Sequence, residues 1–209
     1  MPPVVASLLA VNALAFLGQL TLGDPLLGSF ALWPLGGPDY AGSLFGRLAV
    51  PDFQLWQLVT YSFLHGNLLH LFTNMFAMWM FGMQIEQLWG SRLFAFYYFA
   101  CVIGAALVQL VVVSLSVDGG GPIYPTIGAS GGVFGVLLAF GMMFPNQRIL
   151  LLIPPIPIKA KWFVILYGAF ELYAGITGTQ SGVAHFAHLG GMLFGFVMIV
   201  YWRRRFLRY

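Results

Sequence analysis

The sequence predicts an all-α polytopic membrane protein. Three observations lead to that fold class: few charges, several long apolar segments, and basic residues of which all but one lie on one side. Of the 209 residues, 60% are hydrophobic and only 7% are charged. Soluble domains carry about 25% charged residues, so this composition is typical of an integral membrane protein. The single cysteine, Cys101, lies in an apolar stretch and excludes a disulfide scaffold.

Each predicted helix is an apolar segment long enough to span a bilayer. A hydrocarbon core of about 30 Å requires about 20 apolar residues per helix. Six segments qualify, the fifth being short: 4–22, 68–87, 93–115, 129–144, 162–177 and 183–202. We therefore expect a six-transmembrane-helix bundle that forms one membrane domain over residues 1–209.

Two connections between these segments are unusually apolar. The first external loop, 23–67, is rich in aromatic and aliphatic residues, so we expect it to be membrane-associated. An aromatic belt without a substrate role is the alternative. The stretch 150–158 contains Pro154, Pro155 and Pro157, which favour a connector over a continuous helix.

Basic residues predict the orientation of the chain. Only Arg47 falls on the outer side of the six-segment arrangement. The others all fall on the opposite side: Arg92, Arg148, Lys159, Lys161, Arg203, Arg204, Arg205 and Arg208. By the positive-inside rule both termini are cytoplasmic, and a bacterial cytoplasmic (inner) membrane is expected. The second, fourth and sixth segments then begin at one shared depth near the outer face.

Four polar side chains fall at that shared depth. Ser130 begins the fourth segment, His188 lies near the start of the sixth, and His70 and Asn74 lie one helical turn apart in the second. Polar groups inside a membrane are costly and are therefore candidates for a functional site. Taken singly, each of them could be a packing or hydrogen-bonding residue.

Nucleophilic acyl transfer is the chemistry that these residues offer together. Ser130 would attack a peptide carbonyl, and His188 would accept its proton and return it to the leaving amine. The developing oxyanion needs hydrogen-bond donors. The candidates are the backbone N–H of Ser130, the His70 imidazole and the Asn74 amide.

Several other titratable residues leave alternatives open. His185 competes with His188 as the base, and a His-x-x-His pair can also bind a metal, although no metal site is favoured here. Glu171 could orient either histidine, relay protons or face a water-filled cavity. A structural role is favoured for Glu86, satisfied by Gln84, Ser91 or Arg92, and His65 is expected to anchor the first external loop by hydrogen bonds.

Glycine spacing explains how the fourth and sixth segments could approach each other. Gly131 and Gly135 form a small-xxx-small pair, as do Gly191 and Gly195. Gly128 and Gly131 add little bulk beside the serine, which favours access for an extended substrate.

Three motifs, in order and on the expected segments, make the chain resemble a rhomboid intramembrane serine protease of the minimal six-helix bacterial type. They are H-x-x-x-N at His70 and Asn74, G-x-S-G at 128–131, and A-H-x-x-G-x-x-x-G at 187–195. The resemblance covers nearly the whole chain, and it selects His188 over His185 as the base.

The resemblance implies a Ser130–His188 dyad without a third acid, an oxyanion site formed by His70, Asn74 and the Ser130 backbone, and aromatic support from Phe134. It also implies a lateral substrate gate at the fifth segment, transmembrane protein substrates cut near the outer face, and no cofactor. The family's first loop often carries Trp-Arg where this chain has Trp56 and Gln57. A proton-coupled transporter and a non-catalytic membrane chaperone are the alternative functions, and no nucleic-acid partner is expected.

Overall fold

A computed structural model describes residues 1–36, 40–43, 46–49, 51–151, 155–179 and 182–206. In the described residues, the helices and strands follow in the order α1 Pro3–Leu22, α2 Asp24–Phe30, β1 Tyr40–Ser43, β2 Gly46–Ala49, α3 Gln57–Thr60, α4 Leu68–Ala77, α5 Met83–Trp89, α6 Ser91–Asp118, α7 Ser130–Met143, β3 Arg148–Leu150, β4 Pro157–Lys159, α8 Ala160–Thr177 and α9 His185–Phe206. A 3₁₀ turn covers Tyr61–Phe63, and a π-helical turn, Met78–Gly82, joins α4 to α5.

The prediction of an all-α membrane bundle is confirmed. Each of the six apolar segments is helical, the second being α4 and α5 with the π-helical turn between them. Among the described residues, three helices are long and apolar enough to cross a membrane: α1, α6 and the part of α9 from His185 to Arg204. Helix α7 is apolar but shorter. The chain is a multi-pass membrane protein.

The centre of the bundle is a close contact of α6, α7 and α9 through glycines. A Cβ built on Gly191 of α9 would overlap the carbonyl of Gly131 on α7. A Cβ on Gly135 would overlap Cys101 of α6, and one on Gly195 would overlap the hydroxyl of Tyr97. These small residues let the three helix backbones approach to distances that larger side chains would prevent.

The first external loop is fastened to the bundle at several points. Leu32 pairs with Thr126 in an isolated antiparallel bridge, just before α7. The Tyr61 hydroxyl donates to the carbonyl of Val102 at 2.9 Å, and its carbonyl accepts from the N–H of Gly128 at 3.0 Å. Trp56 remains 53% exposed, as expected of an aromatic side chain at a membrane interface.

The glutamine that follows Trp56 contributes to this fastening. Gln57 is fully buried, and its side-chain oxygen accepts from the backbone N–H of Trp33 at 3.4 Å. This loop is therefore held without an arginine at residue 57. Leu44 and Phe45, which contribute to the apolar character of the loop, lie outside the described residues.

The proline-rich connector is not helical in its described part. Instead β3 and β4 form an antiparallel pair, with Arg148 opposite Lys159 and Leu150 opposite Pro157. The two strands were not predicted, because three-residue strands carry too little periodicity to be recognised. Pro154 lies outside the described residues.

Glu86, at the end of the bundle away from Ser130, caps α1. Its Oε1 accepts from the N–H of Val4 at 2.9 Å, and its Oε2 accepts from the N–H of Val5 at 2.8 Å. The hydroxyl of Ser91 donates to Oε1 at 2.7 Å. A carboxylate placed here satisfies N–H groups that have no partner within the helix and stabilises the positive end of the helix dipole.

Candidate active site

Ser130 is the first residue of α7, and the backbone just before it adopts an unusual conformation. Gly128 has φ 125°, a backbone conformation that residues with a side chain rarely adopt. The residue between them, Ala129, is fully buried, whereas Ser130 is half-buried. Because Ser130 opens the helix, its backbone N–H has no acceptor within the helix and can serve another group.

The side chains of Ser130 and His188 are in hydrogen-bond contact. The Oγ of Ser130 lies 2.8 Å from the Nε2 of His188, across 58 residues of sequence. The ring of Phe134, one turn further along α7, stacks on the His188 ring with centroids 4.2 Å apart and an interplanar angle of 5°. The contact between Gly131 and Gly191 brings the two helices close enough for these side chains to meet.

Glu171 of α8 contacts the other side of the same histidine. Its Oε2 lies 2.8 Å from the Nδ1 of His188 and 2.6 Å from the Nδ1 of His185. Exposure of the three residues is 3%, 8% and 5% for Glu171, His188 and His185. Contact with either histidine is one of the roles that the sequence left open for Glu171, which is not among the predicted catalytic residues. No motif connects α8 with α9, so depth in the membrane was the available signal.

His70 lies against the backbone that leads into Ser130. Its Nδ1 accepts from the N–H of Gly66 at 3.4 Å, so the ring proton is on Nε2. A Cβ built on Gly128 would lie 2.9 Å from that Nε2 and 3.6 Å from the Oγ of Ser130. The His70 ring and the serine hydroxyl therefore both border residue 128, and a side chain there would displace the ring.

Asn74 is one turn below His70 and is buried. One hydrogen of its amide is donated to the backbone carbonyl of His70 at 2.9 Å. This contact fixes the amide beside the first turn of α4, and the second amide hydrogen is left to donate elsewhere. His70 and Asn74 therefore lie on adjacent turns of α4 and are joined by this hydrogen bond.

His65 anchors the loop with its backbone. Gln19 of α1 accepts from the His65 N–H at 2.8 Å and donates to its carbonyl at 3.2 Å. Neither ring nitrogen has a hydrogen-bond partner in the described part of the chain. The ring lies edge-on to His70 at 5.0 Å. Burial, and then the neighbouring His70, lower the pKa of the His65 imidazole to about 4, so this ring is neutral at neutral pH.

The distances among Glu171, His185 and His188 fit hydrogen bonds better than they fit ligands of a bound metal ion. Glu171, His185 and His188 place one ligand atom each within 4.8 Å of one another. However, two ligands of a tetrahedral zinc ion, each about 2.0–2.1 Å from the metal, lie about 3.3 Å apart. The oxygen–nitrogen distances of 2.6 and 2.8 Å are shorter and are those of charge-assisted hydrogen bonds.

The site combines the groups that acyl transfer requires. A hydroxyl, an imidazole within hydrogen-bond reach of it, and donors beside it are the components of a serine hydrolase site. The imidazole is further oriented by a carboxylate and an aromatic face.

Comparisons with known proteins place this chain in a family. The Rhomboid domain model matches residues 52–205. Rhomboid protein 1, mitochondrial, from Saccharomyces cerevisiae is 33% identical over 137 residues, which are 64% of this chain and 38% of that protein. Presenilin-associated rhomboid-like protein A, mitochondrial, from Danio rerio is 30% identical over 154 residues, 71% of this chain and 39% of that protein.

A bacterial relative matches almost the whole chain at lower identity. Rhomboid protease GlpG from Yersinia pestis is 24% identical over 210 residues, covering 97% of this chain and 63% of that protein. The chain thus spans less than two thirds of the length of each of these relatives. The domain match extends from before α4 to residue 205 in α9 and includes every residue of the candidate site. On this evidence the chain belongs to the rhomboid family of membrane proteins.

Proposed function

We propose that this protein is an intramembrane serine endopeptidase that cleaves transmembrane proteins near the outer membrane face. The observation that carries this proposal is the 2.8 Å contact between the Oγ of Ser130 and the Nε2 of His188. Membership of a family that includes a protein named as a protease supports it. The catalytic pair is Ser130 and His188, and no cofactor takes part.

In the first half of the reaction, Ser130 Oγ attacks the scissile carbonyl carbon while its proton passes to His188 Nε2. The tetrahedral intermediate collapses, the C–N bond breaks, and His188 returns the proton to the leaving amine. In the second half, a water gives its proton to His188 and attacks the acyl ester. Collapse of that intermediate releases the carboxylic acid and restores the serine hydroxyl.

Three groups are proposed to stabilise the oxyanion: the Nε2–H of His70, the backbone N–H of Ser130 and the free amide hydrogen of Asn74. One such donor contributes about 3 kcal/mol to transition-state stabilisation. His70 is the best placed of the side chains, since its Nε2 lies over Gly128 beside the serine. Five glycines support this geometry by allowing close approach of the helices: Gly128, Gly131, Gly135, Gly191 and Gly195.

Substrate selection follows from the bilayer. A transmembrane helix keeps its peptide carbonyls in hydrogen bonds, so cleavage requires local unwinding near the serine. We expect substrates with small or helix-destabilising residues close to the outer end of their span. The substrate would enter beside α8, whose aromatic Tyr167 packs on Phe134 with ring centroids 4.9 Å apart.

The proposed orientation has both termini in the cytoplasm, with the serine near the outer face. The basic residues of the β3–β4 connector and the exposed Arg203 and Arg204 of α9 support it. Two of the relatives are mitochondrial by name, whereas GlpG is bacterial. We propose a bacterial inner membrane, and reporter fusions at both termini, tested for cytoplasmic activity, check the orientation.

Co-expression with a panel of tagged single-span proteins tests the function. Wild type is expected to cleave at least one of them, while Ser130→Ala and His188→Ala cleave none and accumulate normally. Ser7→Ala is the matched control, because Ser7 is an exposed serine of α1 that donates to its own helix. A soluble unfolded protein without a span is expected to remain uncut.

A fluorophosphonate probe separates the proposal from its alternatives. The probe should label wild type and Ser7→Ala, and labelling should be lost in Ser130→Ala. Wild type that is folded, unlabelled and inactive on the whole panel would instead favour a transporter or a membrane chaperone.

A further inference from the structure

One carboxylate oxygen of Glu171 is shared by two histidines. Its Oε2 contacts His188 Nδ1 at 2.8 Å and His185 Nδ1 at 2.6 Å, and all three side chains are buried. The Nε2 of His188 faces Ser130 Oγ at 2.8 Å. A continuous chain of hydrogen bonds therefore runs from His185 through Glu171 and His188 to the serine.

These contacts are consistent with one assignment of protons. If Ser130 donates its hydroxyl proton toward His188 Nε2, that nitrogen is unprotonated and the Nδ1 of His188 carries the proton. This Nδ1–H then donates to Glu171, whose ionised carboxylate also accepts from the Nδ1–H of His185. The Nε2 of His185 is left as an acceptor without a partner in the described residues.

The carboxylate supplies a constraint that the aromatic contact lacks. Phe134 stacks flat on His188, with an interplanar angle of 5°, and so fixes the plane of the imidazole. A flat stack still permits the ring to rotate within that plane. The bond from Nδ1 to Glu171 removes this remaining freedom and aims Nε2 at the serine.

We propose that Glu171 is the positioning residue of the base, so that this chain uses a Ser130–His188–Glu171 triad, with His185 holding the carboxylate in place. This inference rests on the proposed function and deepens it. Glu171 selects the Nδ1–H tautomer of His188, and its charge stabilises the imidazolium that forms when the serine proton is transferred. The low dielectric of the buried site strengthens that interaction.

The kinetic test uses the full chain in liposomes with a fluorogenic single-span peptide. Glu171→Gln keeps the shape and an acceptor oxygen but removes the charge, whereas Glu171→Asp keeps the charge on a shorter side chain. We expect kcat to fall about 100-fold in Glu171→Gln with KM unchanged, and less in Glu171→Asp. His185→Phe should lower kcat about 10-fold, because the carboxylate loses its second donor.

The matched control lies on the same helix. Tyr173→Phe removes an exposed hydroxyl from α8, and its kcat should stay within about twofold of wild type. If Glu171 only held α8 against α9, its substitutions would change the melting temperature and not kcat. If Glu171→Gln is at least as active as Glu171→Asp, or if kcat is unchanged while the melting temperature falls, the positioning role is overturned.

A spectroscopic test on wild type does not depend on whether a variant folds. The chain has four histidines, so ¹⁵N-histidine labelling gives few signals, which single-histidine variants assign. His188 should carry its proton on Nδ1, with an unprotonated Nε2. A proton on Nε2 of the resting enzyme would contradict the triad. Absence of serine-dependent cleavage in wild type would refute the proposed function, whereas the tautomer of His188 is decided without any activity.

Discussion

Two buried acids, near opposite ends of the bundle, differ in the donors that surround them. Glu86 is 2% exposed and Glu171 is 3% exposed. Glu86 accepts from two backbone N–H groups of α1 and from Ser91. Glu171 is in hydrogen-bond contact with two imidazoles, one of which contacts a serine.

The difference teaches how to interpret an ionisable residue inside a membrane. An acid at such a depth is by default a candidate for function, since its burial is costly. Backbone N–H groups do not titrate in the physiological range, so an acid held only by them and a hydroxyl is a helix cap. Imidazoles do exchange protons near neutral pH, so an acid held by them can take part in proton transfer.

The largest expected effect on kcat comes from removing His188, the base that contacts Glu171. His188→Ala removes the acceptor for the serine proton, and kcat should fall by about 10⁴-fold or more. Turnover of the fluorogenic single-span peptide measures this. The melting temperature should fall as well, because His188 is buried, stacks on Phe134 and contacts Glu171, so turnover is compared at a temperature where the variant is folded. A variant with near-normal turnover would remove the contrast between the two acids.

The oxyanion donors should give the next largest effect. His70→Phe keeps a ring beside Gly128 but removes the Nε2–H, and we expect kcat to fall by about 10²-fold. Asn74→Ala should cost less, because one of its amide hydrogens is already donated to the His70 carbonyl. Initial rates at saturating substrate check the order. A larger loss in Asn74→Ala than in His70→Phe would assign the principal donor to Asn74.

Gly191→Ala tests the helix contact that brings serine and base together. The added methyl would overlap the carbonyl of Gly131, so α7 and α9 must separate. We expect a loss of about 1–3 kcal/mol in the free energy of unfolding, with reduced kcat. Gly178→Ala is unsuitable as a control because φ is positive there, whereas Gly119 is not tightly packed and serves for comparison.

The smallest effect on turnover is expected at the other acid. Glu86→Gln weakens the cap on α1, and we expect a loss of about 1–3 kcal/mol in stability. Its kcat should remain within about twofold of wild type, because none of the described partners of Glu86 contacts the serine. Thermal unfolding and turnover of the same preparation measure both. A loss of kcat in Glu86→Gln as large as that in Glu171→Gln would break the comparison.

The residues that the sequence could predict are those with a local signal. The six helical segments follow from apolar length, and Ser91 could be named for Glu86 because it lies five residues away. The other partners of Glu86, the N–H groups of Val4 and Val5, are 82 and 81 residues distant and carry no pattern of their own.

The partners of Glu171 were harder to predict for a different reason. Ile165, Phe170 and Ile176 of α8 are all exposed apolar residues, as expected of a helix facing lipid. Hydropathy therefore does not fix the rotation of α8 about its axis, and the sequence could not decide whether Glu171 faces α9. The structure supplies that rotation and brings the carboxylate to both histidines.

The division of these groups between two helices has a mechanical consequence. Glu171 belongs to α8, whereas His185 and His188 both belong to α9. A displacement of α8 away from α9 by a few ångströms would break both hydrogen bonds at once. The His188 ring could then rotate within its plane. The orientation of the His188 ring is thus coupled to the position of α8 in the bundle.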